Sequence, residues 1–279
     1  MKKGFILTQQ FTTPLFQFEN LKLYTLYLEI NEHYFCCWAK EKTDSEVHWL
    51  EYYTVADQEG SLLEKLQALY TTHRLLASIK WNAIRVSFDN QEFTHIPLAL
   101  FQKEYATQYL QLSKGNALTV EQEVYVNHMT QQGVAIIFAE NSHLYHWISE
   151  QYPFVNISFQ HLSTIICDYL LLEKSTTIKA HLHVYSNHFF LVIAQHGELQ
   201  FCNRFAYQTS EELVFFALYA INELGFAPEE VSFTLIENTI NTQLDYQVLS
   251  DYIPVIQLQE AQDALKAPFF SNQFIPHYS

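Results

Sequence analysis

Glycine is scarce in this sequence: 6 of 279 positions, about 2%, where roughly 7% is usual. Only glycine lets backbone N–H groups converge without a Cβ in the way. A chain this poor in it has little material for the backbone nests that cradle phosphates. Charge is scarce too, at 16% of residues against roughly 25% in an average soluble protein. Positive charge is scarcer still: 15 Lys+Arg face 30 Asp+Glu, a formal net charge of −15. The arginines are Arg74, Arg85 and Arg204, scattered along the chain and offering no bidentate phosphate clamp. This balance opposes DNA, RNA and anionic membrane surfaces, each of which needs a basic patch. A protein partner with a basic or mixed surface is the better electrostatic match. No long apolar run exists; the longest, Leu213 to Ile221, is far short of a membrane span. Cys36, Cys37, Cys167 and Cys202 form no CxxC pair and read as reduced core residues. The opening Met1-Lys2-Lys3-Gly4-Phe5-Ile6-Leu7 imitates a signal peptide only briefly, so a cytoplasmic location is expected.

What the chain has in plenty is aromatic bulk: 22 Phe, 18 Tyr and 4 Trp, 16% of residues. That is ample for a packed core, and disorder is excluded. Length alone argues for about two domains. After an N-terminal tail, strand-like runs fall at Leu21–Ile30, Tyr34–Ala39 and Val47–Thr54, the first two joined by the polar turn Asn31-Glu32-His33. Ser61-Leu62-Leu63-Glu64 is a capping box, opening a helix with Leu62, Leu66, Leu69 and Leu76 on one face. A strand at Ala83–Phe88 ends in Asp89-Asn90. A helix over Pro97–Leu112 with Leu98, Phe101, Tyr105 and Tyr109 on one side is expected next. A strand pair at Val124–Met129 and Val134–Ala139, a helix at Ser142–Gln151, a strand near Val155–Phe159 and a helix from Leu162 to Glu173 follow.

The order then repeats. Strands Lys179–Tyr185, Phe189–Ala194 and Leu199–Ala206 precede a Thr209-Ser210-Glu211-Glu212 cap, a helix stopped at Gly225, and a strand at Val231–Ile236 ending in Glu237-Asn238. A helix over Leu244–Tyr252, a strand at Pro254–Leu258, a helix at Gln259–Lys266 and an extended tail complete the chain. Residue matches accompany the repeat: His33 falls on His188, Ala68-Leu69-Tyr70 on Ala217-Leu218-Tyr219, and Asp89-Asn90 on Glu237-Asn238. Element order with a slowly drifting offset favours an internal duplication, with halves at 1–174 and 175–279.

Three antiparallel strands, a helix, a strand, a helix, a strand and a helix, used twice, is the pattern of the actin-like ATPase superfamily. The hairpin Leu28–Cys37, the start Pro97-Leu98-Ala99-Leu100-Phe101 and the strand-to-helix passage Phe159–Leu172 also resemble an uncharacterised bacterial family, a domain of unknown function with that fold. The resemblance implies an α/β protein of mixed sheets: a duplicated, RNase H-like fold whose halves pack around a cleft. It also implies where chemistry would lie. Active members bind ATP between the halves, each first hairpin supplying a phosphate loop of the type Asp-x-Gly, with paired glycines after the fourth strand of the second half. The corresponding turns here are Asn31-Glu32-His33 and Ser186-Asn187-His188, and the adenosine position reads Glu237-Asn238-Thr239-Ile240. None contains glycine.

Other chemistry is weakly signalled. His143-x-x-His146 could share a helix face and His181-x-His183 a strand face, but no third ligand accompanies either pair, and structural histidines are the better reading. Cys167-Asp168 with His161 sits in an Ile- and Leu-rich segment and reads as core. No catalytic residue, metal site or cofactor is assigned. The positions singled out as facing the implied cleft are Asn31, Glu32, Asn187, Glu237 and Asn238. Expectation therefore falls on a non-catalytic binding or scaffolding protein, possible homo-oligomers included. The alternative is a diverged nucleotide-binding protein, an ATPase or kinase-like enzyme using Asn31, Asn187 and Glu237.

Overall fold

Strand β2 (Tyr24–Ile30) and its hairpin partner β3 (Tyr34–Glu41) are rich in aromatic and aliphatic side chains, and both are buried along nearly their whole length. Strands apolar on both faces belong at a sheet centre. The computed structural model puts them there; it describes residues 4–41, 47–56, 59–173, 175–237, 244–254 and 256–258. The described chain divides into two compact units at Leu162/Ser163, ahead of the expected 174/175 boundary.

In the first unit, β1 (Phe5–Thr12), β2, β3 and β4 (Val47–Val55) join β5 (Ala83–Phe88) and β9 (Asn156–His161) in one sheet, ordered β1-β4-β3-β2-β5-β9. The β2–β3, β3–β4 and β1–β4 pairs are antiparallel, whereas β5 runs parallel to both β2 and β9. Tyr27 stacks on its cross-strand partner Trp38 at 5.2 Å and 8°, an aromatic pair of the kind that fixes register. Helix α1 (Leu62–Thr72) connects β4 to β5 and opens with the expected reciprocal cap between Ser61 and Glu64. A second sheet, β6-β8-β7, is formed by β6 (Phe93–Pro97), β7 (Gln122–Met129) and β8 (Val134–Asn141). Helix α2 (Ala106–Lys114) packs on it through Ala106 and Leu110, against Ile137 and Ala139. Helix α3 (Ser142–Gln151) leads on to β9.

Two stretches differ from expectation. The N-terminal tail contains a strand, β1, at the sheet edge. The expected helix over Pro97–Leu112 is instead the end of β6, a single 3-10 turn at Lys103–Tyr105 and then α2. Phe101 packs into the small core beneath α2 from the turn that precedes it, so turn and helix together produced the helical spacing of apolar residues.

In the second unit, helix α4 (Leu162–Leu172) precedes β10 (Ile178–Val184), β11 (His188–Gln195), β12 (Glu198–Ala206), helix α5 (Ser210–Glu223), β13 (Val231–Glu237), helix α6 (Tyr246–Tyr252) and β14 (Ile256–Leu258). The sheet order is β12-β11-β10-β13-β14, with β12, β11 and β10 antiparallel and β13 and β14 parallel to the centre. One face, carrying Leu182, Leu191, Phe233 and Leu235, buries Leu213, Ala217 and Ile221 of α5. Strands β4-β3-β2-β5-β9 of the first sheet follow the same order and the same directions. The expected helix Gln259–Lys266 and the tail lie outside the described residues.

Candidate functional site

The residue matches that accompanied the repeat are out of register by one. In the first unit Ile30 pairs with Phe35 across the hairpin, and in the second Val184 pairs with Phe189. Asn31 N–H donates to Tyr34 O at 3.0 Å, as Tyr185 N–H donates to His188 O at 2.8 Å. Tyr34, not His33, therefore occupies the place of His188. Likewise Ile30 pairs with Phe88 and Val184 with Glu237, so Glu237 answers Phe88 rather than Asp89. The caps Ser61 and Thr209 set the helices so that buried Leu66 answers buried Val214, and Ala68 answers Phe216 instead of Ala217. The shared element order stands; the identities were coincidental.

The first turn is closed by polar bonds. Asn31 is buried, donating Nδ2 to Asp89 O (2.8 Å) and Asp89 Oδ2 (3.0 Å), while its Oδ1 accepts from His33 N–H (2.8 Å). Beside it Tyr34 Oη lies 2.7 Å from Glu29 Oε1 and 2.9 Å from Asp89 Oδ2. Glu29 and Asp89 are each only 2% exposed. A phenol has one hydrogen, so both contacts are full hydrogen bonds only if one carboxyl itself carries a proton. Tyr34 stacks on Tyr52 at 5.4 Å. Burial, with Cys36, Glu29 and Asp89 adding to it, pushes the Tyr52 hydroxyl far above its usual range. Glu32 does not join this cluster: its side chain is 76% exposed and lies 3.3 Å from its neighbour His33.

In the second turn, Asn187 is exposed, with Oδ1 2.8 Å from His188 Nδ1, while Tyr185 stacks on His188 at 4.6 Å and 6°. Tyr207 ties this turn down, donating its hydroxyl to Tyr185 O (2.7 Å) and its N–H to Asn187 O (3.2 Å). Glu237 accepts from Tyr246 Oη at 2.8 Å. Burial first, then that carboxylate, lifts Tyr246 to about 12, and the same pair of causes lifts Tyr207 to about 12. Asn238 lies outside the described residues. The expected positions thus fall into separate local arrangements, Asn31 with Asp89, Asn187 with His188, Glu237 with Tyr246, and exposed Glu32 with its neighbour His33.

A triphosphate cradle asks for convergent N–H groups, which need left-handed backbone. Among the described residues positive φ occurs at the six glycines, Phe154 and His196, and neither turn contains one. The residues do not fit a phosphate cradle in either turn.

Other candidates resolve locally. His181 and His183 share a face of β10, both fully buried with rings 5.8 Å apart. His181 Nε2 lies 2.8 Å from Glu173 Oε1, and burial, then His181, holds His183 well below its usual pKa. His146 lies 3.7 Å from Glu123 at the surface of α3. Cys36 and Cys37 are free, buried and pushed upward in pKa by burial, so both stay thiols. Glu29 and Tyr34 were missed by sequence reasoning. The available signal was a lone acid in the apolar run Tyr24-Thr-Leu-Tyr-Leu-Glu29-Ile.

Two mixed sheets of one strand order define the class: this is an actin-like ATPase fold. A Bacteroides thetaiotaomicron VPI-5482 protein with that fold and unknown function superposes with a TM-score of 0.79 at 20% identity, covering 93% of this chain and 97% of that one. The PilM-PilN type IV pilus biogenesis complex matches with a TM-score of 0.55 at 10% identity, covering 89% of this chain and 96% of that chain. Residues 13–256 match the family described as "Protein of unknown function (DUF3822)", and the chain belongs to that family. No curated protein matches the sequence. Among the described residues no helix is long and apolar enough to cross a membrane.

Proposed function

We propose that this chain is a non-catalytic member of the actin-like fold, a binding or scaffolding module that keeps the architecture without the phosphate chemistry. The observation that carries the reading is the first turn. Asn31 is committed to Asp89 and to its own turn, Glu29 and Asp89 are buried beside it, and no residue from Asn31 to Tyr34 has the backbone of a nest. The second turn repeats the lack of left-handed backbone, and its side chains are engaged with one another. The neighbour named for a pilus complex contains a protein assembled with another protein, which agrees with a binding role.

Isothermal calorimetry with MgATP and MgADP, alongside a phosphate-release assay, tests this. Expected are no heat of binding with a Kd below about 1 mM and no release above background. Micromolar binding or turnover would sink the proposal and restore the nucleotide-dependent alternative.

A further inference from the structure

The outward edge of α5 carries Glu211, Phe215, Tyr219 and Glu223 at intervals of four residues. Residues so spaced follow one another along a helix face. Phe215 is 62% exposed and Tyr219 55%, and their rings stack at 6.1 Å and 21°. Phe216 meets Phe215 edge-on at 5.5 Å and stacks on Phe205 at 5.0 Å, linking the pair to the core. Between the first turn of α5 and the end of β12 lies an open hollow lined by Tyr207, Gln208, Phe215 and Phe216, with Glu211 and Glu212 at its rim and no Lys or Arg in its lining. Phe215 and Tyr219 thus form a contiguous exposed aromatic pair bracketed by acids, and contiguous apolar surface with a polar rim is a mark of interaction sites.

We propose that this stripe docks a short segment of another protein, apolar in the middle and carrying Lys or Arg at both ends. The terminal cations would meet Glu211 and Glu223, about 18 Å apart along the helix axis at 1.5 Å per residue and turned about 120° around it. The apolar centre would cover Phe215 and Tyr219, with one side chain entering the hollow. Aromatic anchors supply the affinity of such contacts and rim charges their steering. Charge selects this occupant over the others available. A second copy would bring its own glutamates against these in a self-complementary contact. The chain's residues 259–279 hold Glu260 and Asp263 against Lys266, which is no match for an acidic rim. An anionic membrane is opposed for the same reason. The proposal deepens the binding-module reading and rests on it. ATP turnover would overturn that reading without touching the result below, and failure below would leave that reading standing.

The test uses the full chain and a fluorescein-labelled helical peptide of about 16 residues, with paired lysines at each end and Leu and Phe on one face between them. Anisotropy titration should give a Kd on the order of 10 μM at low salt, weakening several-fold at about 0.3 M NaCl. Phe215→Ser with Tyr219→Ser should weaken binding at least about tenfold, and Glu211→Gln with Glu223→Gln should remove most of the salt dependence. All four side chains are exposed, so unchanged melting temperatures will show that the variants fold. The proposal is overturned if the peptide does not bind up to about 1 mM, if a peptide with glutamates in place of lysines binds as well, or if the Ser variants bind normally. It is overturned equally if light scattering shows a dimer that the Ser variants abolish, or if a chain ending at Leu258 binds more than about tenfold tighter, which would make a second copy or the C-terminal segment the occupant.

Discussion

Glu51 shows what a single carboxylate does in this molecule. Its oxygens accept from His73 Nε2 at 2.7 Å, from Trp49 Nε1 at 3.3 Å and from the Tyr53 hydroxyl. His73 Nδ1 in turn accepts Leu76 N–H at 3.1 Å, which fixes the tautomer with its hydrogen on Nε2. Burial raises the Glu51 pKa, but hydrogen bonds from His73, Tyr53 and Trp49 outweigh it, leaving the group below its ordinary value. A depressed carboxylate gives stability that is complete above the unfolded value and is lost as pH falls through the folded one. Glu51→Gln, which keeps the shape and removes the charge, should cost about 2 kcal/mol at pH 7. The cost should shrink as the pH is lowered from 7 to 3, because the wild-type carboxyl takes up a proton as pH falls through its lowered folded-state value. Urea denaturation at both pH values checks this, and a cost unchanged by pH would contradict it. Trp49, Glu51 and Tyr53 share one face of β4 at a spacing of two, but His73, just past the end of α1, is brought to them by the fold alone, and no spacing rule finds it. Asn31 was legible as a turn residue, yet its commitment to Asp89 depends on β5 lying parallel to β2, a pairing 58 residues distant in sequence.

Elements were readable wherever one periodicity governed a whole segment. Ser142–Gln151 and Ala83–Phe88 have the expected boundaries because an Asn141 cap and a run of buried residues mark them. Strand β1 was not readable: the register shifts between Leu7 and Gln9, so Ile6 and Leu7 are both exposed and an alternation of two holds only from Gln9 to Thr12. The one-residue slips between halves have a common cause. Side-chain identity in an aromatic-rich chain is cheap by chance, whereas register is set by the hairpin bonds and helix caps, which identity does not see. Caps are the element-scale feature that the sequence did specify. In the box that opens α1, Glu64 N–H donates to Ser61 Oγ at 3.2 Å and Ser61 N–H donates to Glu64 Oε2 at 2.8 Å. Ser61→Ala should therefore lower stability by about 1 kcal/mol, read as a shift in urea midpoint at constant slope. A midpoint unchanged within error would mean that α1 is held by packing of Leu66 and Tyr70 alone.

At the scale of the whole molecule the aromatic excess sets an upper pH limit. Tyr52, Tyr53, Tyr70 and Tyr152 are all held far above the usual tyrosine range, burial being the largest cause in each, and Tyr207 and Tyr246 are lifted to about 12. Tyr152 illustrates why: its hydroxyl lies 2.8 Å from both Leu76 O and Tyr70 Oη, so it donates to the carbonyl and accepts from Tyr70, and with Tyr152 1% and Tyr70 5% exposed a phenolate there would be desolvated. A group whose folded pKa is raised stabilises fully below its unfolded value, about 10 for tyrosine, and that stability is lost as pH rises through the folded value. Several such groups lose it over the same interval, and the net charge of −15 at pH 7 grows more negative as they ionise, adding self-repulsion. The protein should therefore unfold cooperatively between about pH 10 and 12, with tyrosinate absorbance at 295 nm rising in step with the loss of far-UV ellipticity. A smooth titration of all 18 tyrosines near pH 10 with ellipticity intact would contradict it. That outcome would mean the phenols are reached by water in the folded state, and that the aromatic core is looser than its burial implies.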